Sequence, residues 1–190
     1  MKNRLWLFFA LVVLLQLAVP AKMIWDQEVI LKEGETFKFK TRPYDPHDPF
    51  RGKYVRLQFD NTELVSYVND WEKGDKAFVL LTKDEQGYAQ VLEVDRSPGA
   101  GWRSSYLETT VQYVWPNEPY RIRISYPFER FYMEESKAPA AEKYFQEVVR
   151  DSTRSTYALV KVKKGEAVLM DVQVDGISLV ELAKEKVDSE

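Results

Sequence analysis

Ala77-Phe78-Val79-Leu80-Leu81-Thr82-Lys83-Asp84-Glu85-Gln86-Gly87-Tyr88-Ala89-Gln90-Val91-Leu92-Glu93-Val94 is the stretch that decides the fold class. Two β-rich runs, Ala77–Thr82 and Tyr88–Val94, flank five polar residues ending in glycine, which is the pattern of a hairpin. Outward from it the same grammar recurs. Val29–Leu31 and Thr36–Thr41 are read as strands around Lys32-Glu33-Gly34-Glu35, with Phe37 and Phe39 alternating against Lys38 and Lys40. Lys53–Phe59 puts Val55, Leu57 and Phe59 on one face and Tyr54, Arg56 and Gln58 on the other. Further strands are expected at Thr109–Val114, Tyr120–Tyr126, Tyr157–Lys163 and Ala167–Val174, the last two joined by a turn at Lys164-Gly165. One helix is expected: Pro139 suits a first turn, and Ala141, Tyr144, Phe145, Val148 and Val149 recur at three- and four-residue spacing. The reading is a mainly β (α+β) body over residues 25–190, an antiparallel barrel or sandwich with one packed helix.

The body is preceded by a different kind of segment. Leu5 to Ile24 is apolar except at Gln16, Pro20 and Lys22. As a helix these residues would be about 30 Å long, matching the hydrocarbon core of a bilayer. Lys2 and Arg4 precede the run and Asp26 and Glu28 follow it, so the positive-inside rule keeps the amino terminus in the cytoplasm and exports the body. Trp6 and Trp25 stand at the two ends, where indoles favour the interface. The rival reading is a signal peptide cleaved at Val19-Pro20-Ala21; the length of the run favours retention of residues 1–24 as an anchor. Gln16 could hydrogen-bond a second helix within the bilayer.

Composition excludes several classes of chemistry. There is no cysteine, hence no disulfide, thiol catalysis or zinc–thiolate site. Residues 1–25 hold three of the 27 basic residues and no acid, leaving 24 against 30 acidic residues, a net charge of −6. A chain of that balance is not expected to bind nucleic acid, where phosphate neutralisation dominates affinity. His47, the only histidine, lies between Asp45 and Asp48 in a proline-rich loop; turn building explains that pattern, and no metal or cofactor is assigned.

Three ordered blocks carry a family resemblance. The first, Thr41-Arg42-Pro43-Tyr44-Asp45-Pro46-His47-Asp48-Pro49-Phe50-Arg51-Gly52-Lys53-Tyr54-Val55-Arg56-Leu57-Gln58-Phe59, resembles the signature of the GDYXXLXY family of membrane-anchored bacterial proteins. Gly52, Tyr54 and Leu57 match, whereas Lys53 replaces the usual aspartate and Phe59 the final tyrosine. Arg123–Glu135, with Glu129 and Arg130, and Ala167–Gly176, closing on Asp175-Gly176, resemble two further blocks of the family. The resemblance implies a membrane-anchored protein without an assigned activity, accompanying a multi-spanning membrane protein. Asp48, Arg51, Gly52, Tyr54, Leu57, Phe59, Glu129, Arg130, Asp175 and Gly176 are therefore family-motif residues, and each has a structural reading as turn, core or strand end. Lys53 argues against carboxylate chemistry at this block, because charge and donor pattern both invert.

Two function classes follow. The first is a non-enzymatic interaction or accessory module for an integral membrane partner, with Gln16, Trp102 and Trp115 as candidate contacts. The alternative is an envelope hydrolase, since the Lys53–Phe59 strand is also similar to that of signal-peptidase barrels. Such enzymes need a nucleophilic serine with a desolvated lysine as base. Residues 43–51 contain no serine, and Ser66, Ser104, Ser105 and Ser125 sit in no recognisable motif. No catalytic residue is assigned. A weaker third possibility is glycan stacking on Trp102 or Trp115.

Overall fold

A computed structural model describes residues 2–42, 54–67, 70–103, 105–115, 117–134, 137–151 and 153–187. It begins with one helix, α1 (Lys2–Glu33), that does not stop where the apolar run stops. The expected strand at Val29–Leu31 is thus corrected: those residues are the last turns of α1. Three residues carry too little periodicity to oppose a helix already propagating into them, and each added residue brings a hydrogen bond without a new nucleation cost. Pairs four apart, Lys22–Asp26 and Glu28–Lys32, support the extension.

The helix ends at Gly34, whose N–H donates to the Ile30 carbonyl at 2.8 Å. The first strand, β1 (Glu35–Arg42), starts at the next residue. The joint is held from several sides. Ile30 is buried against the body, Lys161 Nζ donates to the Gly34 carbonyl at 2.9 Å, and Lys163 pairs with Glu33 at 2.5 Å.

The remaining strands are β2 (Tyr54–Arg56), β3 (Gln58–Phe59), β4 (Glu63–Val65), β5 (Lys76–Lys83), β6 (Ala89–Asp95), β7 (Tyr106–Trp115), β8 (Arg121–Ser125), β9 (Arg130–Tyr132), β10 (Thr156–Lys163), β11 (Glu166–Val174) and β12 (Ile177–Ser178). They form antiparallel sheets in the orders β12-β11-β10-β1-β3 and β4-β8-β7-β5-β6, with β2 and β9 as a separate ribbon. The body is mainly β, 44% strand against 27% helix for the chain, and it resolves the barrel-or-sandwich alternative as a nearly closed five-stranded barrel. Closure needs strong twist, and three β-bulges supply it: the pairing registers skip Leu92, Gln112 and Met170. The two large sheets also touch edge to edge through isolated bridges at Lys38–Tyr88 and Leu107–Gly165.

The expected hairpins are present. Lys164-Gly165 and Asp175-Gly176 both have positive φ at each residue, so they are two-residue primed turns whose twist suits the flanking strands. In the β5–β6 hairpin the Asp84 carboxylate accepts from the N–H groups of Gln86 and Tyr88, and Gly87 takes φ +84°. The expected helix is α2 (Ala138–Val149), burying Ala141, Phe145 and Val148. A second short helix, α3 (Leu179–Val187), packs on it through buried Leu179 and Ala183.

Inside the barrel Val55, Val79, Leu107, Ile122, Val160 and Val172 are fully buried. One end of this core is aromatic: Phe39 meets the rings of Phe59, Tyr126 and Phe128 at 6.0, 5.1 and 4.9 Å. Tyr126 and Phe128 stack at 5.4 Å. Burial pushes the Tyr126 hydroxyl well above its ordinary pKa, so it stays a neutral donor, aimed at the Asn61 carbonyl at 3.3 Å.

Candidate functional site

The family-signature strand is a corner. Its first half, β2, pairs with β9 in the register Tyr54–Tyr132, Val55–Phe131, Arg56–Arg130. Leu57 N–H then donates to the Glu129 carbonyl at 2.9 Å. The second half, β3, pairs with β1. Val55, Leu57 and Phe59 all face the core, at 0–3% exposure. Asp48, Arg51, Gly52, His47 and Lys53 lie outside the described residues.

The opposite face of the same strand is where polar side chains gather. Tyr54 and Tyr132 pair across the ribbon with ring centres 5.6 Å apart, and the Arg130 guanidinium lies 5.2 Å from the Tyr54 ring. Glu129 does not pair with its neighbour Arg130; its carboxylate accepts from Ser125 Oγ at 2.9 Å. Next to the ribbon is a pocket of about 70 Å³ lined by Arg42, Arg56, Gln58, Gln112, Arg123 and Glu129 among others. Two of these lining residues, Arg42 and Arg123, have Nε atoms that are buried without a hydrogen-bond partner. Gln112 reaches the pocket from the residue that the β7 bulge leaves unpaired, a common way of re-aiming a side chain.

The face continues over the β4-β8-β7 sheet. Cross-strand register sets Arg123 between Glu63 and Tyr113, and Arg121 between Val65 and Trp115. The Glu63 carboxylate takes a hydrogen bond from Arg123 Nη2 at 2.5 Å and is held below the usual carboxylate range by that bond and by the charges of Arg123, Arg42 and Arg121. The guanidinium groups of Arg121 and Arg123 lie 5.9 and 5.3 Å from the Trp115 ring, which also meets Tyr113 edge-on at 4.8 Å. Trp115 thus belongs to this face, whereas Trp102 does not. The indole N–H of Trp102 donates to Glu93 at 3.2 Å, and its ring sits against Gly99 and Tyr106.

Gln16 is exposed on α1. Asp175 and Gly176 form the β11–β12 turn, remote in sequence from these arginines. There Asp175 accepts from the Ser155 N–H at 2.7 Å and pairs with Arg154. These contacts, the Ser155 hydrogen bond foremost, hold its carboxyl below the ordinary value of 3.8. Depression in the folded state means that the turn's contribution is complete above that ordinary value and is lost as pH falls through the lowered one. Asp175→Asn keeps the tolerance for positive φ but loses the charge. Its melting temperature is expected to fall below wild type at pH 7 and to converge with it on acidification; an unchanged difference at low pH would contradict this.

A second concavity, about 540 Å³, opens between the last turns of α1 and the barrel, lined by Met23, Asp26, Ile30, Glu108, Ser125 and Pro127 among others. Of the serines singled out from sequence, Ser125 donates to Glu129 and Ser104 lies outside the described residues. Ser66 Oγ accepts from buried Trp71 Nε1, and Ser105 Oγ donates to Glu35. Lys83 pairs with the same Glu35 at 2.8 Å. That places the lysine at a half-exposed position against a carboxylate, not in the desolvated surroundings a general base requires. Among the described residues no group of three or more His, Asp or Glu is placed to hold a metal.

Comparison with known proteins matches no curated protein and no solved structure. One family model, described as GDYXXLXY protein, matches residues 16–172, which is most of the chain and includes both the corner strand and the arginine-bearing face. The chain belongs to the GDYXXLXY family.

Proposed function

We propose that this protein is a membrane-anchored, non-enzymatic docking module, which holds its barrel on the extracytoplasmic side beside an integral membrane partner. The observation that supports this best is the unbroken passage from apolar helix to barrel. Residues Phe8–Glu33 are long and apolar enough to cross a bilayer, and their most apolar stretch has a mean hydropathy of 2.0. Gly34 alone separates this helix from the first strand of the barrel. A rigid mount suits a protein that must present one surface to a fixed neighbour in the same membrane, because pre-organisation reduces the entropy lost on docking. The charges of Lys2 and Arg4 before the span support an exported body.

Two measurements test the reading. Sequencing the mature protein from the membrane fraction is expected to find the amino terminus intact; a chain starting at Lys22 would mean that 20 of the 32 residues of α1 had been removed as a signal peptide. Crosslinking in native membranes, followed by purification in mild detergent, is expected to recover an integral membrane protein in fixed ratio to this chain. Recovery of the chain alone, as a monomer, would contradict the reading.

A further inference from the structure

We infer that the arginine–aromatic face around the Arg42–Arg123 pocket docks an acidic segment of a protein partner. The inference takes up the docking reading above and names the surface and the chemistry it recognises. The chain as a whole is acidic, with a net charge of −3. Among the described residues this face reverses the sign: Arg42, Arg56, Arg121, Arg123 and Arg130 stand against Glu63 and Glu129, five positive charges to two negative. They come from β1, β2, β8 and β9, so only the folded barrel assembles them.

The choice of cation points to a carboxylate. All five are arginines, whose planar fork binds a carboxylate through two parallel hydrogen bonds. Three of the guanidinium groups are held against rings, Arg121 and Arg123 on Trp115 and Arg130 on Tyr54. They are therefore oriented before a ligand arrives. Arg42 and Arg123, whose Nε atoms are buried without partners, both line the 70 Å³ pocket, a volume suited to one small planar group. Arg, Tyr and Trp are also the residues that dominate binding energy at protein–protein contacts, and Tyr132 and Tyr113 are exposed beside the arginines at 64% and 52%.

Glu63 acts as an internal stand-in for the incoming carboxylate. It already holds Arg123 Nη2, and it competes with any outside acid for that arginine. A single small anion such as phosphate occupies only the pocket, whereas an acidic segment engages several of these arginines at once. A lipid surface needs no such ordering of guanidinium planes, since juxtamembrane attraction works through loosely held basic residues.

The full chain in neutral detergent micelles, titrated into a fluorescein-labelled octaglutamate peptide and followed by anisotropy, tests the inference. The peptide is expected to bind, and Arg42→Gln and Arg123→Gln are each expected to weaken binding by about tenfold, as for one lost hydrogen bond to a charged group. Glu63→Gln is expected to tighten it, an outcome that no loss of folding could produce. Lys38→Gln, on the first sheet, should leave it unchanged. Absence of peptide binding, or binding indifferent to both arginine substitutions, would overturn the inference. So would inorganic phosphate displacing the peptide at equal concentration, or phosphatidylglycerol vesicles binding through these arginines where the peptide does not. An integral membrane protein that still crosslinks to a chain unable to bind the peptide would leave the docking reading standing and reject this face. Peptide binding without any crosslinked membrane protein would do the reverse.

Discussion

Phe39→Ala is expected to destabilise the barrel by about 3–5 kcal/mol, the cost of removing a fully packed aromatic ring and leaving a cavity. Phe39 is 3% exposed and meets the rings of Phe59, Tyr126 and Phe128, which also meet one another. Those three come from the family-signature strand and from the segment between β8 and β9, so Phe39 ties β1 to both. A void there cannot be filled by one neighbour relaxing, because Tyr126 is anchored to Asn61 by its hydroxyl and stacked on Phe128. Denaturant unfolding with the two-state midpoint compared to wild type measures it. A loss below about 1 kcal/mol, the scale of an ordinary surface change, would show that the aromatic end of the core is not packed as described.

Gly34→Ala is the second large effect. A Cβ at Gly34 would lie 2.4 Å from the Ile30 carbonyl oxygen and 3.2 Å from that of Val162, both backbone atoms. Neither can rotate away as a side chain would. Either the last turn of α1 opens, losing the 2.8 Å hydrogen bond from Gly34 to Ile30, or the helix lifts off β10. Overpacking of this kind costs about 1–3 kcal/mol, and here it falls on the joint rather than on the barrel. The expected result is therefore a modest fall in melting temperature with faster proteolysis between α1 and β1. Unchanged protease resistance would mean that the joint does not depend on a bare α-carbon.

Much of this fold is legible in the chain because turns declare themselves. Lys164-Gly165, Asp175-Gly176 and Asp84–Gly87 combine glycine with residues that tolerate or favour reversal, and the runs beside them are β-rich. Alternation of Val55, Leu57 and Phe59 likewise marks a buried face by its period of two. Other elements leave weaker marks. β4 and β9 are three residues each, too short for a period to show. Leu179 and Ala183 have helical spacing, but Glu181, Lys184 and Glu185 among them read equally well as a solvated tail. Val29–Leu31 looks β-like by composition and is helical by continuity with what precedes it.

The candidate site is a different matter. Glu129, Arg130 and Trp115 can be singled out from sequence motifs, yet the pocket depends on Arg42, Arg56 and Arg123, which no local pattern connects. Arg123 meets Glu63 from 60 positions away in the chain, and Gln112 joins them only because β7 bulges. Charge summed along the chain hides this face, since a net acidic protein can still concentrate its arginines on one surface. Lys53, whose charge argues against carboxylate chemistry at the signature, agrees in sign with the arginines that the folded strand carries.

The central claim is that apolar helix and barrel form one rigid body, and the chain suits a direct test because it has no cysteine of its own. Spin labels on Leu17→Cys and Leu92→Cys, both at exposed positions, can be measured by pulsed dipolar spectroscopy with the full chain in lipid nanodiscs. The account predicts a single narrow distance distribution, comparable in width to that of a pair within the body, Leu92→Cys with Ile177→Cys. A distribution broadened well beyond that internal pair would show a barrel swinging freely on its helix, and would contradict it.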